Sequence, residues 1–272
     1  MKVVLFCGGQ GLRMREFSNR IPKPLAPIGE RPVLWHVMKY YASYGHRDFV
    51  LCLGYQGDVI KNYFRSYDET ISNDFVLSDG GRQIELLTSD IADWRITFAD
   101  TGLDTTIGER LRRVRHLLAG EEIFLANYGD TLTDAHLPTM VDRVRASDVS
   151  ASFLAVKPNY SFHVVNVNDD GRVGNISDVT KSEMWINGGY FVMRSSFLDD
   201  LRLGEDLVEE PLQRAIAAGQ VLAHRHDGFW APMDTLKEKQ WLESLHESGT
   251  APWELWNTQP ESDSGIRGLV SA

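Results

Sequence analysis

A glycine loop followed closely by a proline-bracketed lysine is the segment whose chemistry stands out first. Gly8-Gly9-Gln10-Gly11-Leu12-Arg13 comes directly after an apolar run, and Pro22-Lys23-Pro24-Leu25 follows it. Glycines at such a place let backbone N–H groups approach phosphate oxygens, and Arg13 and Lys23 bring fixed positive charge to the same ligand. The prolines on either side of Lys23 stiffen a short extended piece and fix where its ammonium points. The loop is not a dinucleotide fingerprint, because Met14 stands where the third glycine belongs. It is not a P-loop either, because no Gly-Lys-Ser/Thr follows. A glycine loop on its own reads as a tight turn, so the elements around it must decide.

Those elements have βαβα order. Lys2 to Cys7 is a short β-branched and apolar run, which predicts a buried strand ending at the glycines. Leu34, Val37, Met38 and Tyr41 recur at helical spacing after Pro32. Asp48 to Leu53 is predicted as the next strand and Asp58 to Phe64 as the next helix, which implies a parallel sheet with right-handed crossovers. Ligands of such sheets bind beyond the carboxyl ends of the strands, where the glycine loop lies. Further candidate strands are Gln83 to Leu87, Arg95 to Phe98 and Glu122 to Ala126, the last ending at Tyr128-Gly129-Asp130 and so delivering a carboxylate to the same edge. A helix striped by Leu111, Val114, Leu117 and Leu118 comes between them, its arginines directed away from the stripe. From Ser150 to Val192 the pattern turns strand-rich, with Val164 to Val167 and Ile186 to Met193 as candidates and a turn at Asp169-Asp170-Gly171. A mixed or antiparallel edge is expected there. Leu207 to Ala217 and Thr235 to Glu247 read as helices.

Composition narrows the function. The 272 residues are 43% hydrophobic and carry 28 basic against 38 acidic side chains, a net charge of −10. A surface so negative argues against nucleic acid and membrane surfaces as partners, so any anionic ligand needs a local pocket of cations, backbone N–H groups or metal. No apolar run reaches a membrane span, and the opening stretch is too short for a signal peptide, so a cytoplasmic location is expected. Cys7 and Cys52 sit inside strand-like runs and are expected to be buried thiols.

Read together and in order, the motifs resemble the sugar-1-phosphate nucleotidyltransferase superfamily, and within it the glucose-1-phosphate cytidylyltransferases. They are Gly-Gly-x-Gly-x-Arg, Pro-Lys-Pro-Leu, Pro32-Val33-Leu34-Trp35-His36, Gly54-Tyr55, Asp100-Thr101-Gly102 and Arg110-Leu111-Arg112-Arg113-Val114. Tyr128-Gly129-Asp130, Ile186-Asn187-Gly188-Gly189, Glu210-Pro211-Leu212, Gly228-Phe229-Trp230-Ala231-Pro232-Met233-Asp234-Thr235 and Gly249-Thr250-Ala251-Pro252-Trp253 continue the series. The resemblance implies an α/β fold with a Rossmann-like, mostly parallel sheet of GT-A type and a smaller mixed or antiparallel sugar-binding part. It implies one domain over residues 1–256, with nucleotide binding in about 1–135 and sugar binding in about 136–256, and leaves 257–272 as a loose tail. The implied reaction is attack of a sugar-1-phosphate oxygen on the α-phosphorus of a nucleoside triphosphate, CTP being favoured and glucose 1-phosphate the favoured acceptor. Such a transfer needs positioning and charge neutralisation rather than a general base.

By the same resemblance Arg13, Lys23 and Asp130 are the catalytic residues, and Asp130 and Asp234 supply the oxygen ligands that Mg²⁺ prefers. Gly8, Gly9, Gln10, Gly11, Thr101, Arg110 and Gly129 join Arg13 and Lys23 around the nucleotide. Tyr128, Lys181, Asn187, Gly188, Glu210 and Trp230 face the sugar phosphate. Each has an ordinary alternative: a turn for Asp130 and Thr101, a helix N-cap for Asp234, a solvated charge for Arg110, a strand bulge for Gly188-Gly189 and core packing for the tryptophans. A homo-oligomer is also implied. Two departures stand out. A Glu-Lys-Pro stretch normally precedes Asn-Gly-Gly, whereas here the chain reads Ser177-Asp178-Val179-Thr180-Lys181, with Lys181 as the available substitute. Leu12 also replaces a hydroxyl residue in the loop. Two rival readings are a glycosyltransferase on a similar sheet, which would show Asp-x-Asp where Asp130 is followed by Thr131 and Leu132, and a non-catalytic relative.

Overall fold

In the computed structural model, which describes residues 1–9, 21–158 and 162–257, the chain opens with strand β1 (Lys2–Phe6), whose Val3, Val4 and Leu5 are fully buried. Such β-branched and aliphatic runs are what a strand covered on both faces requires. A small hairpin, β2 (Pro27–Ile28) and β3 (Arg31–Pro32), leads into helix α1 (Val33–Ser43), with Pro32 as its N-cap. Strand β4 (Asp48–Leu53) and helix α2 (Gly57–Arg65) complete the predicted βαβα order. A second hairpin, β5 (Phe75–Ser78) and β6 (Gln83–Leu86), stands apart from the main sheet. Strand β7 (Arg95–Asp100), helix α3 (Ile107–Val114) and strand β8 (Ile123–Tyr128) return to it.

After β8 come β9 (Thr131–Thr133), helix α4 (Leu137–Arg145) and strand β10 (Ala151–Val156). A third outlying hairpin pairs β11 (His163–Val167) with β12 (Val173–Asp178) around the turn expected at Gly171. Strands β13 (Ile186–Asn187) and β14 (Phe191–Arg194), helix α5 (Pro211–Ala217), strands β15 (Val221–His226) and β16 (Trp230–Pro232) and helix α6 (Leu236–Glu247) follow.

The main sheet runs β13-β10-β14-β8-β1-β4-β7, with β15 also paired to β10. β8, β1, β4 and β7 are mutually parallel, and β15 runs parallel to β10. β14 is antiparallel to both β8 and β10, and β13 is antiparallel to β10, so the sheet is mostly parallel with two reversed strands. It is continuous across the two parts, about 1–135 and 136–256, into which the sequence was expected to divide. The carboxyl ends of β1, β4, β7, β8, β10 and β15 share one edge. Apolar clusters cover both faces: Val3, Leu5, Val37 and Leu154 on one side, Val4, Phe6, Leu111 and Phe191 on the other.

Several expected boundaries change. The run Ile186 to Met193 is two strands, because β13 and β14 pair with β10 in registers two residues apart, with Gly189 and Tyr190 at positive φ between them. The helix expected from Leu207 begins at Pro211, whose missing N–H costs nothing in the first helical turn. The helix through Leu118 ends at Val114 and continues as a 3₁₀ turn. Cys7 and Cys52 are buried free thiols, as expected.

Candidate functional site at the carboxyl edge of the sheet

One buried guanidinium ties together the loops after β1, β4 and β7. Arg110, in α3, is only 2% exposed. It donates to the carbonyls of Leu53, Gly8 and Leu103, each at 3.1 Å, and to Thr101 Oγ1 at 2.7 Å. The Thr101 hydroxyl in turn donates to Leu53 O at 2.7 Å. All four terminal N–H groups of Arg110 therefore have acceptors in the protein. The side chain therefore points into the fold rather than away from the core, and it shapes the loops where contact with a nucleotide phosphate is expected. Thr101 is fully buried and belongs to the same hydrogen-bonded set. The clamp explains two glycines, since a Cβ on Gly8 would lie 2.1 Å from Arg110 and one on Gly54 would lie 2.8 Å from Gly8 O. Arg112 and Arg113, read as solvated charges, both pair with the buried Glu109 carboxylate, at 2.6 and 2.9 Å. Arg112 is the principal cause holding the Glu109 pKa down at about 2.

Gly8 and Gly9 end β1 as expected, while Gln10, Gly11 and Arg13 lie outside the described residues. Gly129 is close-packed, a Cβ there falling 2.9 Å from Cys7 Sγ.

Lys23, Asp130 and Asp234 converge although they are far apart in sequence. Lys23 Nζ is 2.6 Å from Asp130 Oδ2 and pairs with Asp234 Oδ1. Burial disfavours the ammonium, but Asp130 and Asp234 outweigh it and hold the Lys23 pKa above the ordinary lysine value. The bland reading of Asp234 as a helix cap is excluded locally. Thr235 caps α6 in a capping box with Glu238, whose carboxylate also takes the Asp234 N–H at 2.7 Å. That leaves the Asp234 side chain to the site. Two carboxylates that share one cation can share a divalent one, and Mg²⁺ commonly uses one or two carboxylates with phosphates and water completing its shell.

Across the edge, Tyr128, Asn187, Gly188 and Trp230 assemble around the bulge between the reversed strands. Asn127, which the sequence reading did not single out, organises it: its Oδ1 accepts from the N–H groups of Tyr128 and Tyr190 at 2.8 and 3.1 Å and from Thr131 Oγ1 at 3.2 Å. An asparagine inside an otherwise apolar strand was the available signal. Gly189 must stay without a side chain, because its φ is +75° and a Cβ would lie 2.7 Å from Asn127 Oδ1. Trp230 Nε1 donates to Gly188 O at 2.8 Å, so the indole braces the bulge from the core side. Tyr128 lies beside Asn187; burial, with Asp206 and Asp130, pushes its hydroxyl pKa up to about 12. Glu210 stands in front of α5 with its carboxylate on the Asp206 N–H at 2.8 Å. Lys181 is exposed at the end of a 3₁₀ turn, where its charge acts on Asp178.

The chain matches the family model described as nucleotidyl transferase over residues 2–241. It is 37% identical over 258 residues to the glucose-1-phosphate cytidylyltransferases of Salmonella typhi and Salmonella typhimurium, covering 94% of this chain and 100% of each relative. Among solved structures it is similar to HddC from Yersinia pseudotuberculosis, with a TM-score of 0.65 at 16% identity, covering 90% of this chain and 99% of that one. The last likeness is one of fold.

Proposed function

The chain belongs to the nucleotidyl transferase family, and on that premise we propose that it moves a cytidylyl group from CTP to α-D-glucose 1-phosphate. An oxygen of the sugar phosphate attacks the α-phosphorus of CTP, the bond from that phosphorus to the bridging oxygen breaks, and pyrophosphate leaves as CDP-glucose forms. The observation that carries the reading is the convergence of Lys23, Asp130 and Asp234 at the carboxyl edge. No general base is needed, because the attacking phosphate oxygen is already anionic; the site has to align the two anions and offset their charge.

Lys23 stays protonated across the neutral range and its ammonium can pass from the carboxylates to phosphate oxygens. Asp130 and Asp234 are the residues that would hold Mg²⁺, which when bound supplies charge neutralisation at the transferring phosphate. The backbone after β1, held by Arg110, presents Gly8 and Gly9 to the nucleotide, and Gln10, Gly11 and Arg13, which follow in the sequence, are proposed to join them. Asn187, Gly188 and Tyr128 face the acceptor. A glycosyltransferase or a non-catalytic relative is not favoured by curated relatives that are cytidylyltransferases over their whole length.

The cytoplasmic location that this substrate pair suits agrees with two unpaired, buried thiols. A homo-oligomer is part of the proposal, supported by the outlying hairpins, which leave Leu77, Ile84, Val167 and Ile176 more than half exposed. The test is pyrophosphate release with Mg²⁺ from CTP, UTP, dTTP, ATP and GTP against a panel of sugar 1-phosphates. CTP with glucose 1-phosphate is expected to be the fastest pair. Silence with that pair would overturn the proposal.

A further inference from the structure

β10 ends at Val156, and Lys157 follows it directly onto the carboxyl edge. Ala155, two residues earlier, is opposed by Asn187 on one side and by Arg225 on the other. Residues directly opposed in a ladder share a face of the sheet, so Asn187, the small Ala155 and Arg225 form a row, with Tyr128 next to Asn187. Lys157 and Arg225 then meet at a single indole: Lys157 Nζ is 4.5 Å and Arg225 Cζ 5.3 Å from the centre of the Trp185 ring.

No carboxylate among the described residues pairs with either cation, Lys157 being half-buried and Arg225 exposed. Most buried or half-buried cations here have a carboxylate, as Arg31 has Asp90, Arg214 has Glu205 and Lys239 has Glu243. Among the described residues neither Lys157 nor Arg225 forms an ion pair. Lys157 is half-buried and spends one N–H on Ser182 O at 2.7 Å, keeping two donors. Two cations on one ring repel each other, and cation–π attraction to Trp185 offsets only part of that repulsion. In a chain of net charge −10, such a concentration of positive charge beside a row of sugar-facing residues matches an anion.

We propose that Lys157 and Arg225, gathered on Trp185, receive an oxyanion of the acceptor, an inference that rests on the cytidylyl-transfer reading. The group is the C1 phosphate or a further acid group of the sugar phosphate, and Lys157 fills this role rather than Lys181. Lys157 is a substrate-positioning residue and Arg225 its partner.

The experiment compares the full chain with Lys157→Met, which keeps the stem on Trp185, Lys157→Arg, which keeps the charge, and Arg225→Gln. KM is measured for glucose 1-phosphate at saturating CTP and for CTP at saturating glucose 1-phosphate. Lys157→Met is expected to raise KM for the sugar phosphate about 10- to 100-fold, the scale of a charge-assisted hydrogen bond. The KM for CTP stays within about twofold, Lys157→Arg recovers most of the loss, and Arg225→Gln shows a smaller rise. Unchanged KM for both glucose 1-phosphate and glucuronate 1-phosphate, or equal rises for sugar phosphate and CTP, would overturn the proposal. A second arm uses glucuronate 1-phosphate. If Lys157→Met weakens glucose 1-phosphate and glucuronate 1-phosphate alike, the anion is the C1 phosphate; if it weakens only the latter, the anion is the added acid. Calorimetric titration with glucose 1-phosphate and with glucuronate 1-phosphate separates the two readings. A wild type that binds but does not turn over sinks the transfer, while loss of that binding in Lys157→Met still supports the pair, and equal binding by both proteins removes it.

Discussion

The two halves of the carboxyl edge are held by opposite means. On the β1, β4 and β7 side a buried guanidinium fills every terminal donor with a loop oxygen, and glycines let the backbones close around it. On the β10, β13 and β15 side the strand bulges at Gly188 to Tyr190, the cations Lys157 and Arg225 lack carboxylates among the described residues, and Asn187 is exposed. The first half has one arrangement because leaving its buried acceptors unmet would be costly. The second has charge to spare for a ligand. On the proposed function the first half takes the nucleotide and the second the acceptor, and constancy in one with adjustability in the other suits a reaction with a fixed donor and a selected acceptor.

The largest effect is expected from breaking the fixed half. Arg110→Ala strips a donor from the carbonyls of Gly8, Leu53 and Leu103 and from Thr101, and should lower stability by about 3 to 5 kcal/mol. Thermal unfolding would show this as a large fall in Tm accompanied by loss of turnover. Arg110→Lys should not rescue it, since one ammonium cannot reproduce the planar fork. A variant as stable as wild type would mean that the clamp is not what holds the loops.

Between the halves, Asp130→Asn should cut pyrophosphate release at least a hundredfold, about 3 kcal/mol in the barrier, with Tm little changed. The contrast with Arg110 separates a residue needed for chemistry from one needed for shape, and near-normal turnover would remove Asp130 from the site.

A third test lies beneath the fixed half. His36 in α1 is buried between Ile28 O, at 3.1 Å from Nε2, and the Trp253 indole N–H, at 3.3 Å from Nδ1. Burial first, with His246 adding to it, drops its pKa to about 4. Above the ordinary histidine value of about 6.5 both folded and unfolded chains are neutral there and nothing is lost. As pH falls from about 6.5 to 4 the unfolded chain takes up a proton that the folded one refuses, so stability declines, on the order of 2 to 3 kcal/mol in all. Tm measured over that window should fall more steeply for wild type than for His36→Gln. Parallel curves would assign the acid sensitivity to other groups.

The smallest effect concerns the adjustable half. Trp230→Phe keeps the ring and removes the N–H to Gly188 O, which should cost about 1 kcal/mol and raise KM for the sugar phosphate a few-fold without altering that for CTP. A change in the CTP value instead would connect the bulge to the nucleotide half.

Local signals made the first half of the fold legible. β-branched runs, helical spacing after Pro32 and the glycine stop after β1 depend on neighbours along the chain, and β4 occupies the expected Asp48–Leu53. The outlying β5 and β12 were not foreseen, because their faces are exposed and no burial pattern marks them. Asp234 shows why single residues mislead. As a sequence position ahead of a helix it is a fair N-cap, yet Thr235 and Glu238 take that task between themselves, a pattern also present in the sequence. Arg110 misleads the other way, since an arginine among arginines on a helix reads as solvated until the sheet edge is placed against it.

By itself the sequence determined the opening βαβα order, the glycine turn that ends β1, and the set of motifs that identifies the family. These depend on backbone conformation and short-range spacing, which the chain encodes locally. Only the tertiary structure decided which charges meet. Lys23 with Asp130 and Asp234, Arg110 with three loops, and Lys157 with Arg225 on Trp185 are contacts between residues from 7 to 211 positions apart. Electrostatic and cation–π interactions fall off over a few ångströms, so their partners are set by how parallel strands end side by side, and no spacing along the chain records that.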